Sequence, residues 1–268
     1  MTEGCSAADG GCRARPLDTG GEDSVNASRR GFLLSSAALA ATMLAPGVTL
    51  YAPGGEAEAA TLTPPASSKV RWGLLIDAGK CDENCSACVD ACSKAYGWKS
   101  TGHPDTDPQW IRKVSAKDPK SGAGFSVPVM CQHCANPPCV DVCPTGASFK
   151  RADGIVLVDR HICIGCRYCM MACPYKARSF VHEPLTDQLP DAPRGKGTVE
   201  SCTLCAIRID GGGIPHCVEA CKAAGREAIL FGDLNDPSSE IAKRVATYRT
   251  TRIREDLGCD TGVYYTNI

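Results

Sequence analysis

The stretch "CIGCRYCMMACP", residues 163–174, decides the reading of this chain. Its thiols are spaced C-x2-C-x2-C-x3-C, and Pro174 follows the last of them. Gaps that short keep three sulfurs on one tight loop, wrapped around a compact object with backbone N–H groups turned toward it. The x3 step starts a helical turn and aims the fourth sulfur away. Proline then fixes φ and offers no N–H, so the chain leaves the site. This is the run that holds a cubane [4Fe–4S] cluster, its fourth cysteine serving a neighbouring cluster.

Sixteen of the nineteen cysteines fall into four groups of this kind. The first, "CDENCSACVDAC", carries Cys81, Cys85, Cys88 and Cys92, and the second, "CQHCANPPCVDVCP", carries Cys131, Cys134, Cys139 and Cys143. The third supplies Cys163, Cys166, Cys169 and Cys173; the fourth, "CTLCAIRIDGGGIPHCVEAC", supplies Cys202, Cys205, Cys217 and Cys221. Groups one and four depart from the simple run. The first opens with an x3 gap, the fourth contains an eleven-residue gap, and both lack the trailing proline. Incomplete ligation or a different cluster type is the alternative at those two. For all four, a disulfide framework suits an exported cysteine-rich chain, but four near-copies of one run do not resemble such a scaffold. Structural zinc uses separated C-x2-C pairs, whereas the third group crowds three ligands into seven residues.

The chain also repeats outside its cysteines. "RWGLLIDAGKC" and "GIVLVDRHIC" share an apolar strand, an Asp, three residues and a first cysteine, so Asp77 stands to Cys81 as Asp159 stands to Cys163. "ASFKRADGIVLVD" predicts a hairpin turning at Asp153-Gly154, and "RSFVH" and "AILFGD" predict further short strands. The fold class is therefore α+β: two nested bacterial-ferredoxin-like modules, each holding two clusters, with inserted loops and a C-terminal extension. Groups two and three make the inner module, and groups one and four close around it. Exchange of the fourth ligand within each pair gives four sets. These are Cys81, Cys85, Cys88 with Cys221; Cys202, Cys205, Cys217 with Cys92; Cys131, Cys134, Cys139 with Cys173; and Cys163, Cys166, Cys169 with Cys143. The organisation expected is a leader over 1–59, the first group plus insert over 70–130, the central module over 131–182, a loop and fourth group over 183–231, and an extension over 232–268.

Five Phe and three Trp leave little aromatic matter for a 268-residue interior, and the inorganic clusters are expected to take its place. Near the start, Ser28, Arg29, Arg30, Gly31, Phe32 and Leu33 precede an apolar run that ends at Ala45 before Pro46-Gly47. The run is shorter than the roughly 20 residues of a membrane span and suits the h-region of a signal peptide. Arg29 and Arg30 in that setting match a twin-arginine signal. The leading segment is acidic rather than positive, which departs from the usual pattern. Ala57-Glu58-Ala59 offers a cleavage site, and an uncleaved amphipathic anchor is the other reading. The twin-arginine route carries folded protein, and a cluster must be assembled in the reducing cytoplasm, so the two features imply each other. Beyond the leader the charges nearly balance, and no basic stripe argues for nucleic acid.

Residues 94–130 read as an insert with a hairpin around Pro119 to Gly122, and residues 183–198 as a Pro-rich loop. The tail predicts a short amphipathic helix near Ser238 to Tyr248 and ends on Val263, Tyr264 and Tyr265. Insert and tail are expected to pack on the modules, a partner being the alternative. Lys80, Arg167 and Lys176 lie near the groups as tuning charges or, more simply, as solvated ones. His133, His161 and His216 flank cysteines and read as hydrogen-bonding supports, with ligation the alternative. Cys5, Cys12 and Cys259 fit no group.

From about Val70 to Ile268 the chain resembles the four-cluster ferredoxin subunits of molybdopterin oxidoreductases, exported hydrogenases and related membrane complexes, the DmsB-, HybA- and NrfC-like group. "CQHCANPPCVDVCPTGA" and "CIGCRYCMMACPYKAR" carry that likeness. "RWGLLIDAGKC", "ADGIVLVDRHICIGC", "GTVESCTLC" and "FGDLNDPSSEI", together with the twin-arginine pair, are most similar to the periplasmic subunits of sulfite-reduction-associated Dsr transmembrane complexes. The resemblance implies a non-catalytic subunit that relays single electrons through four [4Fe–4S] clusters. Its implied partners are an NrfD-like, quinone-reactive integral membrane subunit and a multihaem cytochrome c or catalytic oxidoreductase subunit, with the twin-arginine translocase acting during export. Relays of periplasmic hydrogenases and of tetrathionate or nitrite reductases are the alternative, and a zinc or disulfide scaffold the remote one. No Gly-rich nucleotide loop and no nucleophile–base pair stands out in the sequence.

Overall fold

Strand β1 (Trp72–Asp77) is apolar along its middle, and Gly73, Leu74, Leu75 and Ile76 are buried on both faces. A run of that kind belongs in the centre of a sheet, and two partners cover it. The structure, a computed structural model, describes residues 65–268 apart from 118, 121, 123, 187 and 191. The leader with Arg29, Arg30 and the cleavage site, and Cys5 and Cys12, lie outside the described residues. Strand β8 (Ile229–Asp233) pairs with β1 antiparallel, Leu74 opposite Phe231 and Ile76 opposite Ile229. Strand β9 (Val263–Thr266) pairs with β1 parallel, Leu74 opposite Val263 and Ile76 opposite Tyr265. The strand expected at "AILFGD" is β8, whereas β9 is not expected from the tail, because three apolar residues at 263–265 are too few to register a period.

Asp77 ends β1 by accepting a hydrogen bond from Gly79 N at 3.0 Å, which starts a 3-10 turn (Ala78–Lys80) into Cys81. Asp159 does the same before Cys163, accepting from His161 N at 2.8 Å. The repeated Asp is thus a turn former that delivers the first cysteine of a group.

Helix α1 (Ala87–Tyr96), which carries Cys88 and Cys92, packs against the helix (His216–Ala223) that carries Cys217 and Cys221. The short helices α2 (Pro138–Asp141) and α3 (Tyr168–Ala172) pack together in the same way, carrying Cys139 and Cys169. With α4 (Ala206–Asp210) between, the His216–Ala223 helix is α5. Short hairpin strands complete the inner region. Strand β4 (Ser148–Lys150) pairs with β5 (Val156–Val158), and Gly154 at the turn has φ +85°. A Cβ there would meet Arg71 Nη1 at 1.7 Å, so glycine is needed for space as well as for conformation.

Strand β3 (Gly124–Met130), just before group two, pairs with β2 (Ile111–Lys117), while β6 (Arg178–Phe180), just after group three, pairs with β7 (Val199–Ser201). Each pairs with a strand near it in sequence, β2 within the insert and β7 just past the 183–198 loop, and short loops close at less entropic cost. Helix α6 (Glu240–Thr247) starts at Ser239, whose Oγ accepts from Ala242 N at 3.2 Å. Its Ile241 is buried over β8 and β1.

Cysteine fills much of the interior. Cys88, Cys92, Cys131, Cys139, Cys202 and Cys217 share one core with Leu74, Ile76, Trp110, Ile155 and Tyr265.

Candidate metal centres

In groups two, three and four, the residue before the second cysteine has a left-handed backbone: His133 at φ 44°, Gly165 at 71° and Leu204 at 51°. In these three groups the first two-residue gap turns back on itself through that region, which costs a non-glycine residue of order 1–3 kcal/mol. Gly165 has a second reason, since a Cβ there would lie 2.2 Å from Gly197 O. Group one has three residues in its first gap, and none of them shows a positive φ. The extra residue relieves the turn.

Three cavities are each lined by four cysteines. One holds Cys131, Cys134, Cys139 and Cys173, a second Cys92, Cys202, Cys205 and Cys217, and a third Cys143, Cys163, Cys166 and Cys169. Cys88 interacts electrostatically with Cys81, Cys85 and Cys221, which gathers the remaining four. The cysteines are thus brought together three from one group and one from its paired group.

None of the cysteines among the described residues is disulfide-bonded. Four thiolates around one zinc at about 2.3 Å stand within about 4 Å of one another. Among the described residues no three Cys, His, Asp or Glu side chains are close enough to hold one ion. The spacing suits an object larger than an atom.

Donors surround the cavities. Ser148 N donates to Cys143 Sγ at 3.3 Å, Ala228 N to Cys221 Sγ at 3.3 Å and Leu204 N to Cys202 Sγ at 3.4 Å. Arg178, 5% exposed, donates from Nη2 to Cys139 Sγ at 3.2 Å and from Nη1 to Ser148 Oγ at 2.6 Å. Its Nε and the Tyr175 hydroxyl line the first cavity without a protein partner, and the Trp110 indole N–H lines the second in the same state. Buried donors need acceptors, and a sulfide-bearing cluster supplies them. The residues therefore fit [4Fe–4S] clusters.

Burial sets the thiol chemistry. It pushes Cys88 up to about 11, with the Cys81 thiol adding to the shift, and pushes Cys92 and Cys131 up to about 12. The Trp98 side chain opposes the rise at Cys92, and Arg178 opposes it at Cys131. These three thiols are thus protonated at neutral pH while bare, and loading them with iron releases protons.

The flanking histidines line none of the four-cysteine cavities. His133 is buried, and its Nδ1 accepts from Val156 N at 3.1 Å, which leaves the proton on Nε2. Burial, then the charges of Arg71 and Arg178, hold its pKa down at about 3. His216 Nδ1 meets Arg208 Nη1 at 2.6 Å, and His161 is exposed. Of the named cations, Lys80 and Lys176 are exposed and Arg167 lies 5.0 Å over the Phe180 ring. Two other cations do reach sulfur: Arg178, and Lys113, whose Nζ donates to Cys81 Sγ at 3.0 Å. Sequence proximity could not find Lys113, because the β2–β3 hairpin carries it back across 32 residues.

Residues 123–233 match the family described as 4Fe-4S dicluster domain. The Hdr-like menaquinol oxidoreductase iron-sulfur subunit 1 of Archaeoglobus fulgidus is 39% identical, over 90% of this chain and 98% of its own length. One subunit of the tetrathionate reductase of Salmonella typhimurium is 34% identical over 74% of this chain and 73% of its own. Protein NrfC of Escherichia coli is 36% identical over 73% and 80%. The chain belongs to the 4Fe-4S dicluster ferredoxin-like family of electron-transfer iron–sulfur subunits. No helix among the described residues is long and apolar enough to cross a membrane.

Proposed function

We propose that the chain is an exported subunit with four [4Fe–4S] clusters, passing single electrons between a quinone-reactive integral membrane protein and a second redox partner. The ligand sets are Cys81, Cys85, Cys88, Cys221; Cys92, Cys202, Cys205, Cys217; Cys131, Cys134, Cys139, Cys173; and Cys143, Cys163, Cys166, Cys169. One observation carries the assignment: the three-plus-one arrangement of cysteines around each cavity. When bound, such clusters supply one-electron chemistry at potentials set by charge, hydrogen bonds and exposure. The chain's own part is to clamp them on left-handed loops, donate to their thiolates and exclude water. Anaerobic isolation with iron and acid-labile sulfide analysis tests this: about sixteen of each per chain are expected for four cubanes, and a colourless protein refutes it.

The finer reading is DsrO, the periplasmic iron–sulfur subunit of a Dsr complex in sulfur metabolism. The motifs at 71–81, 152–166, 197–205 and 231–241 support it, and a relative named for menaquinol oxidation accords with a quinone-reactive neighbour. Its neighbours are then an NrfD-like membrane subunit and a multihaem cytochrome c. Relatives named for tetrathionate reductase and as NrfC favour the second reading, a relay to a catalytic oxidoreductase subunit. Subunits that co-purify from membranes separate the two. Export through Arg29 and Arg30 is tested by the Arg29→Lys, Arg30→Lys double variant, which should leave brown holoprotein in the cytoplasm. Efficient export of that variant removes the targeting argument.

A further inference from the structure

Trp110 stands in the bend just ahead of β2, 1% exposed, and its indole N–H is buried without a protein acceptor. The residue lines the cavity of Cys92, Cys202, Cys205 and Cys217. Leu74 and Ile111 share that wall and carry no polar side-chain atom. An indole donates one hydrogen bond and accepts none, so the N–H has no other way to be satisfied. A donor buried this deeply needs an acceptor, and sulfur is what the cavity brings to it.

The ring is held from both modules. Tyr96, at the end of α1, packs against it with centroids 4.7 Å apart and planes 33° apart. The Arg160 guanidinium lies 5.4 Å over the ring and also donates to Pro193 O. Beside Trp110, Gln109 N donates to Ser179 Oγ in β6 at 2.9 Å. Arg160 and Ser179 flank group three, so residues of the inner module fix a side chain that lines a cavity of the outer one. Both ring contacts are made to its face, and the N–H lies on its edge.

We propose that the Trp110 indole N–H donates to a sulfur of the cluster held by Cys92, Cys202, Cys205 and Cys217, and thereby holds that cluster's potential up. The inference rests on the ligand assignment above. A reduced cluster carries one more negative charge than an oxidised one, so the bond is stronger after reduction. A donor that favours the reduced form raises the potential. The insert then does more than cover the outer module: it sets how readily one of the buried clusters takes an electron.

The test uses the full chain, isolated without oxygen, in an EPR-monitored redox titration. A wild type lacking clusters defeats the ligand assignment and is distinguishable from failure here. Cys205→Ser, by altering or losing one signal, marks which of the four belongs to this quartet. Trp110→Phe should weaken reduction of the marked cluster several-fold, a tenfold loss being about 59 mV for one electron, with the other three potentials in place. Should that variant not load, the Trp110 indole alone is exchanged for a benzothiophene, which keeps the shape and removes the N–H. The same shift is expected, with iron content unchanged. No shift, or equal shifts at all four clusters, overturns the proposal. With the tryptophan indoles labelled with nitrogen-15, pulsed EPR of the marked cluster should show a nitrogen coupling that the benzothiophene exchange removes. Couplings unaltered by the exchange place the donor elsewhere and overturn the proposal as well.

Discussion

Lys113 Nζ donates to Cys81 Sγ at 3.0 Å and to Asp82 O at 2.7 Å, so a hairpin strand holds a cation against the first cysteine of group one. A cation beside a thiolate favours the more negative, reduced state of whatever the thiolate holds. Lys113→Leu should lower the potential of the Cys81 cluster by tens of millivolts, a one-electron couple moving about 59 mV per 1.4 kcal/mol. An EPR-monitored redox titration reads this directly. Lys113→Arg should restore most of the shift, and an unchanged potential in Lys113→Leu defeats the prediction.

Arg178 serves two quartets rather than one. It bonds Cys139 directly, and Cys131 and Cys169 also act on its charge. Its removal in Arg178→Leu should lower two potentials together, leaving those of the outer quartets in place. Arg178→Lys keeps the charge but not the fork that spans Ser148 Oγ and Cys139 Sγ, since a lysine ammonium is a point donor. The lysine variant should therefore show smaller shifts with faster loss of iron to a chelator.

Arg194 and Glu200 form a buried two-bond pair, Nη2 to Oε1 at 2.6 Å and Nε to Oε2 at 3.0 Å, with side chains 6% and 0% exposed. Arg194 Nη1 also donates to Gly97 O at 2.9 Å, just past the end of α1. Glu200→Ala strands a buried guanidinium, which costs about 3–5 kcal/mol. Anaerobic thermal unfolding should show the loss, and adding Arg194→Leu should recover part of it. Equal melting of Glu200→Ala and wild type contradicts the prediction.

Tyr265 is fully buried in β9, and its hydroxyl meets Gln132 Nε2 and Pro128 O at 3.3 Å each. Tyr265→Phe should cost about 1 kcal/mol for the lost bonds, and Tyr265→Ala about 3–5 kcal/mol for the cavity. Chemical denaturation of the two variants separates packing from hydrogen bonding. If both cost the same, β9 is not the core strand it is described as.

The cysteine spacing made the groups legible because ligand chemistry is local: it fixes residue type and gap within a dozen positions. Asp77 and Asp159 were legible for the same reason, each acting two residues away. The hairpin at Gly154 and the β8 strand followed from turn chemistry and an apolar run. What the chain reaches across space was not legible. Lys113, Arg178 and Arg71 act through partners 32, 39 and 62 residues away, and nothing periodic marks them. The parallel β9 strand is short and lies beside a strand 189 positions earlier, Leu74 against Val263.

That β1–β9 pairing also dictates an order of events during synthesis. On the proposed ligand sets the central quartets need nothing beyond Cys173, so their ligands are complete while the ribosome is still reading. On the same sets Cys81, Cys85 and Cys88 wait for Cys221, and the strand behind them waits longer still, for Val263. A growing chain therefore displays half-built outer cradles beside finished inner ones. On the proposed ligand sets, the outer two clusters cannot be completed before Cys221 has been made.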